Sequence, residues 1–203
     1  ATTVRTRSRV RLPGMLHLAS RSPRRAELLA RLGLDFGVID LDLPEHQGAD
    51  EAAHEYVRRV AREKAGAGLL QVVAVPGALV LGADTEVILD GDVFGKPADA
   101  EDAAAMLRRL SGRSHEVITA VSVVSAGREV QAVSTSLVTV GALDEDAIAR
   151  YLASGEWQGK AGAYAIQGRF ESHIQHLSGS FSGVMGLPMF ETARLLREFG
   201  VIA

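Results

Sequence analysis

The spacing of apolar residues changes repeatedly along the chain, and each change marks a predicted element. Met15 to Ala19 is a short apolar run of the kind that forms a buried strand, and it ends in Ser20-Arg21-Ser22-Pro23-Arg24-Arg25. A helix should follow at once: Ser22 suits the N-cap, Pro23 the first helical position and Gly33 the C-terminal cap, while Leu28, Leu29 and Leu32 form one stripe. Phe36 to Leu43 alternates as a second strand. From Asp50 a longer helix carries Ala53, Tyr56, Val57, Val60, Ala61 and Lys64 at helical spacing, and Gly66 and Gly68 predict its end near Lys64.

The second half is richer in strands. Leu79 to Ala83 reads as an apolar strand ending at Asp84, and Val87 to Leu89, Asp90-Gly91-Asp92 and Val93-Phe94 read as a hairpin closed by Gly95-Lys96-Pro97. Asp99 and Asp102 bracket the start of a helix to about Leu110. Two β-rich stretches, His115 to Val124 and Val130 to Val140, meet at an Ala126-Gly127 turn, and Asp144 to Ala153 forms the next helix. Gly155 to Gly168 is an irregular loop of small residues, and Pro188 to Phe199 is a last amphipathic helix. Strands and helices mixed in this order make an α/β domain, in which the central β-rich part can form a second lobe.

Composition narrows the function. The 203 residues, 47% hydrophobic and 23% charged, suffice for a packed core, and residues 15–203 are expected to form a single domain. The longest apolar stretch, Leu69 to Ala83, is interrupted by Gln71, Pro76 and Gly77, which argues against membrane insertion. With no cysteine there is no disulfide scaffold, thiol nucleophile or thiolate metal site. A net charge of −3 argues against a nucleic-acid coat protein. The first acid is Glu27, so the amino end is locally basic, and residues 1–14, with no apolar periodicity, read as a disordered basic extension rather than a transit peptide.

Only three of the 22 basic residues are lysine, Lys64, Lys96 and Lys160. In a chain that uses arginine as its general cation, each lysine is a candidate for a place that needs a compact ammonium, the alternative being an ordinary surface lysine. Arg24 and Arg25 in the first turn of a helix oppose its dipole, so something negative should compensate; with Ser20, Ser22 and free backbone N–H groups they form a candidate phosphate cradle. Asp84, at the end of a strand, is a candidate to hold Mg²⁺ or orient water, with Asp40, Asp42 or Glu45 as a second oxygen donor. Gly91 to Lys96 and Gly155 to Lys160 imitate phosphate loops, but their glycines are one residue too close and no Ser or Thr follows the lysine. No Gly-x-Ser-x-Gly elbow or HExxH helix is present, and His173 and His176 lack a third ligand. What remains is anion recognition, with a polyphosphate as the natural ligand.

Seven segments then carry a family resemblance: ASRSPRRAELL (19 to 29), REKA (62 to 65), GADT (82 to 85), GKP (95 to 97), LSGRSHEV (110 to 117), KAGAYAIQG (160 to 168) and VMGLP (184 to 188). In this order, from about Leu16 to Phe199, they resemble the Maf family of nucleoside triphosphate pyrophosphatases. The resemblance implies a mixed twisted sheet flanked by helices, with two lobes around a central nucleotide cleft. It implies a cytoplasmic, usually dimeric enzyme that uses a divalent cation, Mg²⁺ or Mn²⁺, to split a nucleotide between the α- and β-phosphates. Carried onto this chain, Ser20, Arg24 and Arg25 would hold the triphosphate, and Lys64 and Lys96 would stabilise phosphoryl charge. Asp84 would activate water or bind metal with help from Glu45, Gln167 would read a pyrimidine edge, and Lys160 would bind substrate or brace its loop. The AYAIQG segment is similar to the dTTP and UTP branch; residues 168–173 depart from that branch in lacking its further glycines and Phe-Val pair. Two alternatives stay open here, a non-catalytic nucleotide-binding regulator of cell division and the same chemistry on 7-methyl-GTP.

Overall fold

A computed structural model describes residues 15–203; the expected basic extension lies outside them. Strand β1 (Leu16–Ala19) leads into helix α1 (Pro23–Ala30), followed by β2 (Gly37–Ile39), α2 (Ala53–Gln71), β3 (Leu79–Leu89), β4 (Asp92–Phe94) and α3 (Ala100–Leu110). Then come β5 (Ser114–Ser125), β6 (Arg128–Val140), α4 (Glu145–Ala153), β7 (Ile174–Ser178), α5 (Phe181–Met185) and α6 (Met189–Glu198). The strands make one seven-stranded mixed sheet in the order β2-β1-β3-β5-β6-β7, with β4 also paired to β3. β1 is parallel to β2 and β3, whereas β3 through β7 are antiparallel.

Strand β3 organises the molecule. Along one edge it pairs with β5 from Val80 to Ile88 without interruption. The other edge is shared: β1 covers Leu79 to Leu81, and β4 covers Val87 to Leu89. Gly82 to Glu86 therefore face a gap between two strands, and the main cleft opens there. Period-two alternation sends Val80, Gly82 and Ile88 toward α2, and Leu81, Ala83, Val87 and Leu89 into the large core that includes residues of α1, α3 and α6. The gap lets side chains from both faces of the strand reach one space.

Three boundaries differ from expectation. β3 does not stop before Asp84, because β5 pairs straight through the polar positions, with Asp84 opposite Ala120 and Glu86 opposite Ile118. α2 runs past Lys64 to Gln71, and its late glycine is a packing device: a Cβ on Gly68 would lie 2.8 Å from Ala19 Cβ and 2.9 Å from Val80. The helix lies so close to the sheet that tertiary contact outweighs the propensity cost. The strand expected over Phe36 to Leu43 shrinks to Gly37–Ile39, since among the described residues it pairs with the four-residue β1 alone. Among the described residues no helix is long and apolar enough to cross a membrane.

Candidate active site

The turn between β1 and α1 is built by serines. Ser20 Oγ accepts from Ser22 N at 3.1 Å, and Ser22 Oγ caps the helix by accepting from Arg25 N at 3.3 Å. This fixes the two arginines. Arg24 Nε donates to Met185 O at 3.3 Å and Arg25 Nε to Gly186 O at 2.8 Å, at the carboxyl end of α5. The negative partner that their position on α1 calls for is thus a set of backbone carbonyls. Arg25 Nη2 also donates to Thr85 Oγ1 at 3.1 Å; Thr85 lies 2.8 Å from Thr119 Oγ1, which donates to Gly183 O at 2.7 Å. A directed chain of donors therefore ties α1, β3, β5 and α5 together.

On the other face of β3 sits an acidic group. Glu45, Asp84 and Glu86 each offer an oxygen within 4.8 Å of the others. Lys64 Nζ, from α2, lies 2.7 Å from Glu45 Oε1 and 3.2 Å from Asp84 Oδ1. Burial pushes the Glu45 carboxyl up, but the charge and hydrogen bond of Lys64, with the charges of Lys96 and Arg25, together hold Glu45 below its ordinary value. Glu86 goes the other way: burial, then the neighbouring Asp84 and Glu45 charges, raise it well above the carboxylate range. Asp84 Oδ2 and Glu86 Oε2 are buried with no hydrogen-bond partner among the described residues. Three hard oxygen donors, two with an unpartnered oxygen, fit a divalent cation of the Mg²⁺ type.

Lys96, on the turn after β4, and Lys160 complete the ring. Burial, with the charges of Arg24 and Lys96, lowers the Lys160 ammonium from its usual value, so these three cations sense one another. Among the described residues, none of Arg24, Arg25, Lys96 and Lys160 has a carboxylate within 4.0 Å. Both the cations and the acids line one cavity of about 630 Å³, together with Ser20 and, at its side, Gln167. The Gln167 amide is exposed and has no hydrogen-bond partner among the described residues.

All nine residues expected to form the site, Ser20, Arg24, Arg25, Glu45, Lys64, Asp84, Lys96, Lys160 and Gln167, line this cavity. Of the three candidates for a second metal oxygen, Asp40 and Asp42 are instead engaged by Arg21 at the exposed rim, and Glu45 joins Asp84. His173 and His176 lie elsewhere, on the segment entering β7. Glu86 escaped the sequence reading, although acids two apart on a strand share a face; ending the strand at Ala83 hid the alternation. Thr85, the last residue of the GADT segment, and Tyr56, read only as part of a helical stripe, also line the cavity and were given no site role by the sequence.

The Maf-like protein family model matches residues 15–199. A dTTP/UTP pyrophosphatase of Xanthomonas euvesicatoria pv. vesicatoria is 60% identical over 188 residues, 92% of this chain and 99% of that protein. A nucleoside triphosphate pyrophosphatase of Xylella fastidiosa is 58% identical over 186 residues, 91% of this chain and 98% of that protein. Among solved structures, a dITP/XTP pyrophosphatase from Mycobacterium abscessus aligns with a TM-score of 0.42 at 17% identity, covering 91% of this chain and 93% of that one.

Proposed function

The chain belongs to the Maf-like protein family, and from that premise we propose that it hydrolyses nucleoside triphosphates, dTTP and UTP foremost, to the monophosphate and pyrophosphate. One observation supports this most: four cations with no carboxylate within 4.0 Å among the described residues line the same cavity as three clustered acids. A polyanion matches the cations, and a reaction at its first phosphorus needs the acids. A binder alone would need the cations but not a buried acidic cluster, which costs stability unless it is used.

In this reading Arg24, Arg25, Ser20 and Lys160 hold the triphosphate, and Lys96, at the rim, neutralises charge that grows on the departing pyrophosphate. Asp84 accepts the proton of the attacking water, and its Oδ1 is held in place by Lys64 at 3.2 Å. Lys64 is itself neutralised by Glu45 and Asp84, so its part is to orient the acids and to meet phosphoryl charge when they engage the substrate. Glu45, Asp84 and Glu86 would hold a divalent cation, Mg²⁺ or Mn²⁺, and such an ion supplies Lewis-acid polarisation of phosphoryl oxygens. Attack is in line and direct, since no residue of the cavity is an activated nucleophile. Gln167 offers an amide donor and acceptor to the base edge. The same reading carries a cytoplasmic homodimer, which sedimentation equilibrium checks.

Incubation with dTTP, UTP, CTP, GTP and 7-methyl-GTP in Mg²⁺, following pyrophosphate release, tests the proposal. Turnover is expected with dTTP and UTP ahead of the rest. Tight binding of all five without release of pyrophosphate would favour the regulator.

A further inference from the structure

Gln167 occupies a closely supported position. It is the third residue of a turn, Ala165 to Gly168, closed by Gly168 N donating to Ala165 O at 3.3 Å. Both flanks of that turn are pinned by side chains that do not line the cavity. Ala165 N donates to the Tyr151 hydroxyl at 3.1 Å, from α4. Arg169 N donates to both Glu156 oxygens, at 3.0 and 3.2 Å, and Glu156 also packs so tightly under Gly168 that a Cβ there would lie 2.2 Å from Oε1.

The approach to the turn is fixed as well. Gly162 and Ala163 are both left-handed, at φ 71° and 67°, and Ala163 is a fully buried residue in a conformation that costs an L-residue about 1–2 kcal/mol. Such strain persists only where the surroundings enforce it. Here Tyr164 stacks on Phe170 at 4.7 Å, and its hydroxyl meets His115 Nε2 at 2.6 Å in the core. Three elements, α4, the loop after it and β5, thus converge on one short segment that carries the Gln167 amide into the cavity.

We propose that Tyr151 and Glu156 are positioning residues for base selection: by pinning Ala165 and Arg169 they aim the Gln167 amide, so discrimination between bases depends on two side chains that never touch the nucleotide. An exposed glutamine on a loose turn would offer its donor and acceptor in many orientations and would accept any base edge. Held backbone leaves only its side-chain torsions to be ordered on binding. A site built to satisfy a particular donor and acceptor pair rejects ligands lacking it. This inference rests on the role given to Gln167 in the proposed function.

The test measures kcat and KM for UTP and GTP in Tyr151→Phe, Glu156→Ala, Glu156→Gln, Gln167→Leu and the double variant Glu156→Ala/Gln167→Leu. Tyr151→Phe keeps the ring against Phe170, 5.0 Å away, and removes only the hydroxyl that accepts from Ala165 N. The readout is the ratio of kcat/KM for UTP over GTP, in which any loss of folded protein cancels. The ratio should fall at least about fivefold in Tyr151→Phe and Glu156→Ala, chiefly through KM for UTP, and stay within about twofold in Glu156→Gln, whose amide oxygen still accepts from Arg169 N. The double variant should be no less selective than Gln167→Leu, because both act through one amide. A ratio unmoved in Tyr151→Phe and Glu156→Ala but collapsed in Gln167→Leu overturns the positioning role alone, as does a double variant whose losses add. An unmoved ratio in Gln167→Leu overturns the base reading itself, and this inference with it.

Discussion

Asp84 and Glu86 sit one strand repeat apart, share a face and each leave a buried oxygen unpartnered, yet their surroundings separate them. Lys64 donates to Asp84 Oδ1, whereas burial and the neighbouring Asp84 and Glu45 charges raise the Glu86 carboxyl well above the carboxylate range. In the proposed reading Asp84, oriented by Lys64, is the group that takes a proton from water. Asp84→Asn keeps the size and the oxygen facing Lys64; it should still bind dTTP but turn over at least about 100-fold more slowly, and single-turnover kinetics beside a binding titration will show whether only the chemistry is lost. His115 gives a residue-scale effect on stability. Burial lowers its imidazole to about 4, so between that value and 6.5 the folded ring stays neutral while the unfolded one is protonated. The unfolded state then binds more protons, and stability falls as pH drops from 6.5 toward 4, by about 3 kcal/mol at most. Urea midpoints at pH 7.5 and 4.5 should differ less in His115→Phe than in the parent; equal differences would show that His115 does not titrate this way.

At the scale of elements, the site depends on how closely α2 lies on β3. A Cβ on Gly82 would fall 2.5 Å from Ala65 N and 2.8 Å from Ala61 O, which are rigid backbone atoms. Gly82→Ala must push α2 off the strand, costing about 1–3 kcal/mol, and since α2 carries Lys64 one residue from Ala65, it should also lengthen the Lys64 to Asp84 contact. Thermal unfolding and turnover should therefore fall together; a stable variant with full activity would mean that the helix can yield without disturbing the acids. The same packing explains what the sequence reveals. Ser22, Pro23 and Gly33 punctuate α1, and Asp90-Gly91, both at positive φ, punctuates the hairpin, because those signals are local. The extent of α2 and β3 is not local: Gly68 looks like a helix breaker and Asp84 like a strand end until the sheet is assembled around them. The expected site residues other than Glu45 lie within a recognisable segment, whereas Tyr151 and Glu156 act through backbone partners outside their own elements, and the short β7, paired to β6 among the described residues, has no periodicity of its own.

For the molecule as a whole, the free protein holds an unfavourable charge distribution that its ligand relieves. Arg24 and Lys96 depress the Lys160 ammonium by repulsion on top of its burial, and no carboxylate of the described residues lies within 4.0 Å of any of the three. Cations drawn together in this way favour an anion at the expense of the empty state. Two consequences follow that point in opposite directions. Inorganic tripolyphosphate, which has no base or sugar, should raise the unfolding temperature: at 100 times its Kd the gain is about 2.7 kcal/mol, or roughly 5–10 °C for a chain of this length. Lys160→Ala should unfold at the same temperature as the parent or higher when no anion is present, because one source of repulsion is gone, yet gain less from tripolyphosphate and show a weaker dependence of KM on salt. Calorimetric scans of both proteins, with and without the anion, decide the matter. If Lys160→Ala were less stable when free and gained as much from tripolyphosphate as the parent, Lys160 would be a brace for its loop and the phosphate wall would consist of Arg24, Arg25 and Lys96 alone.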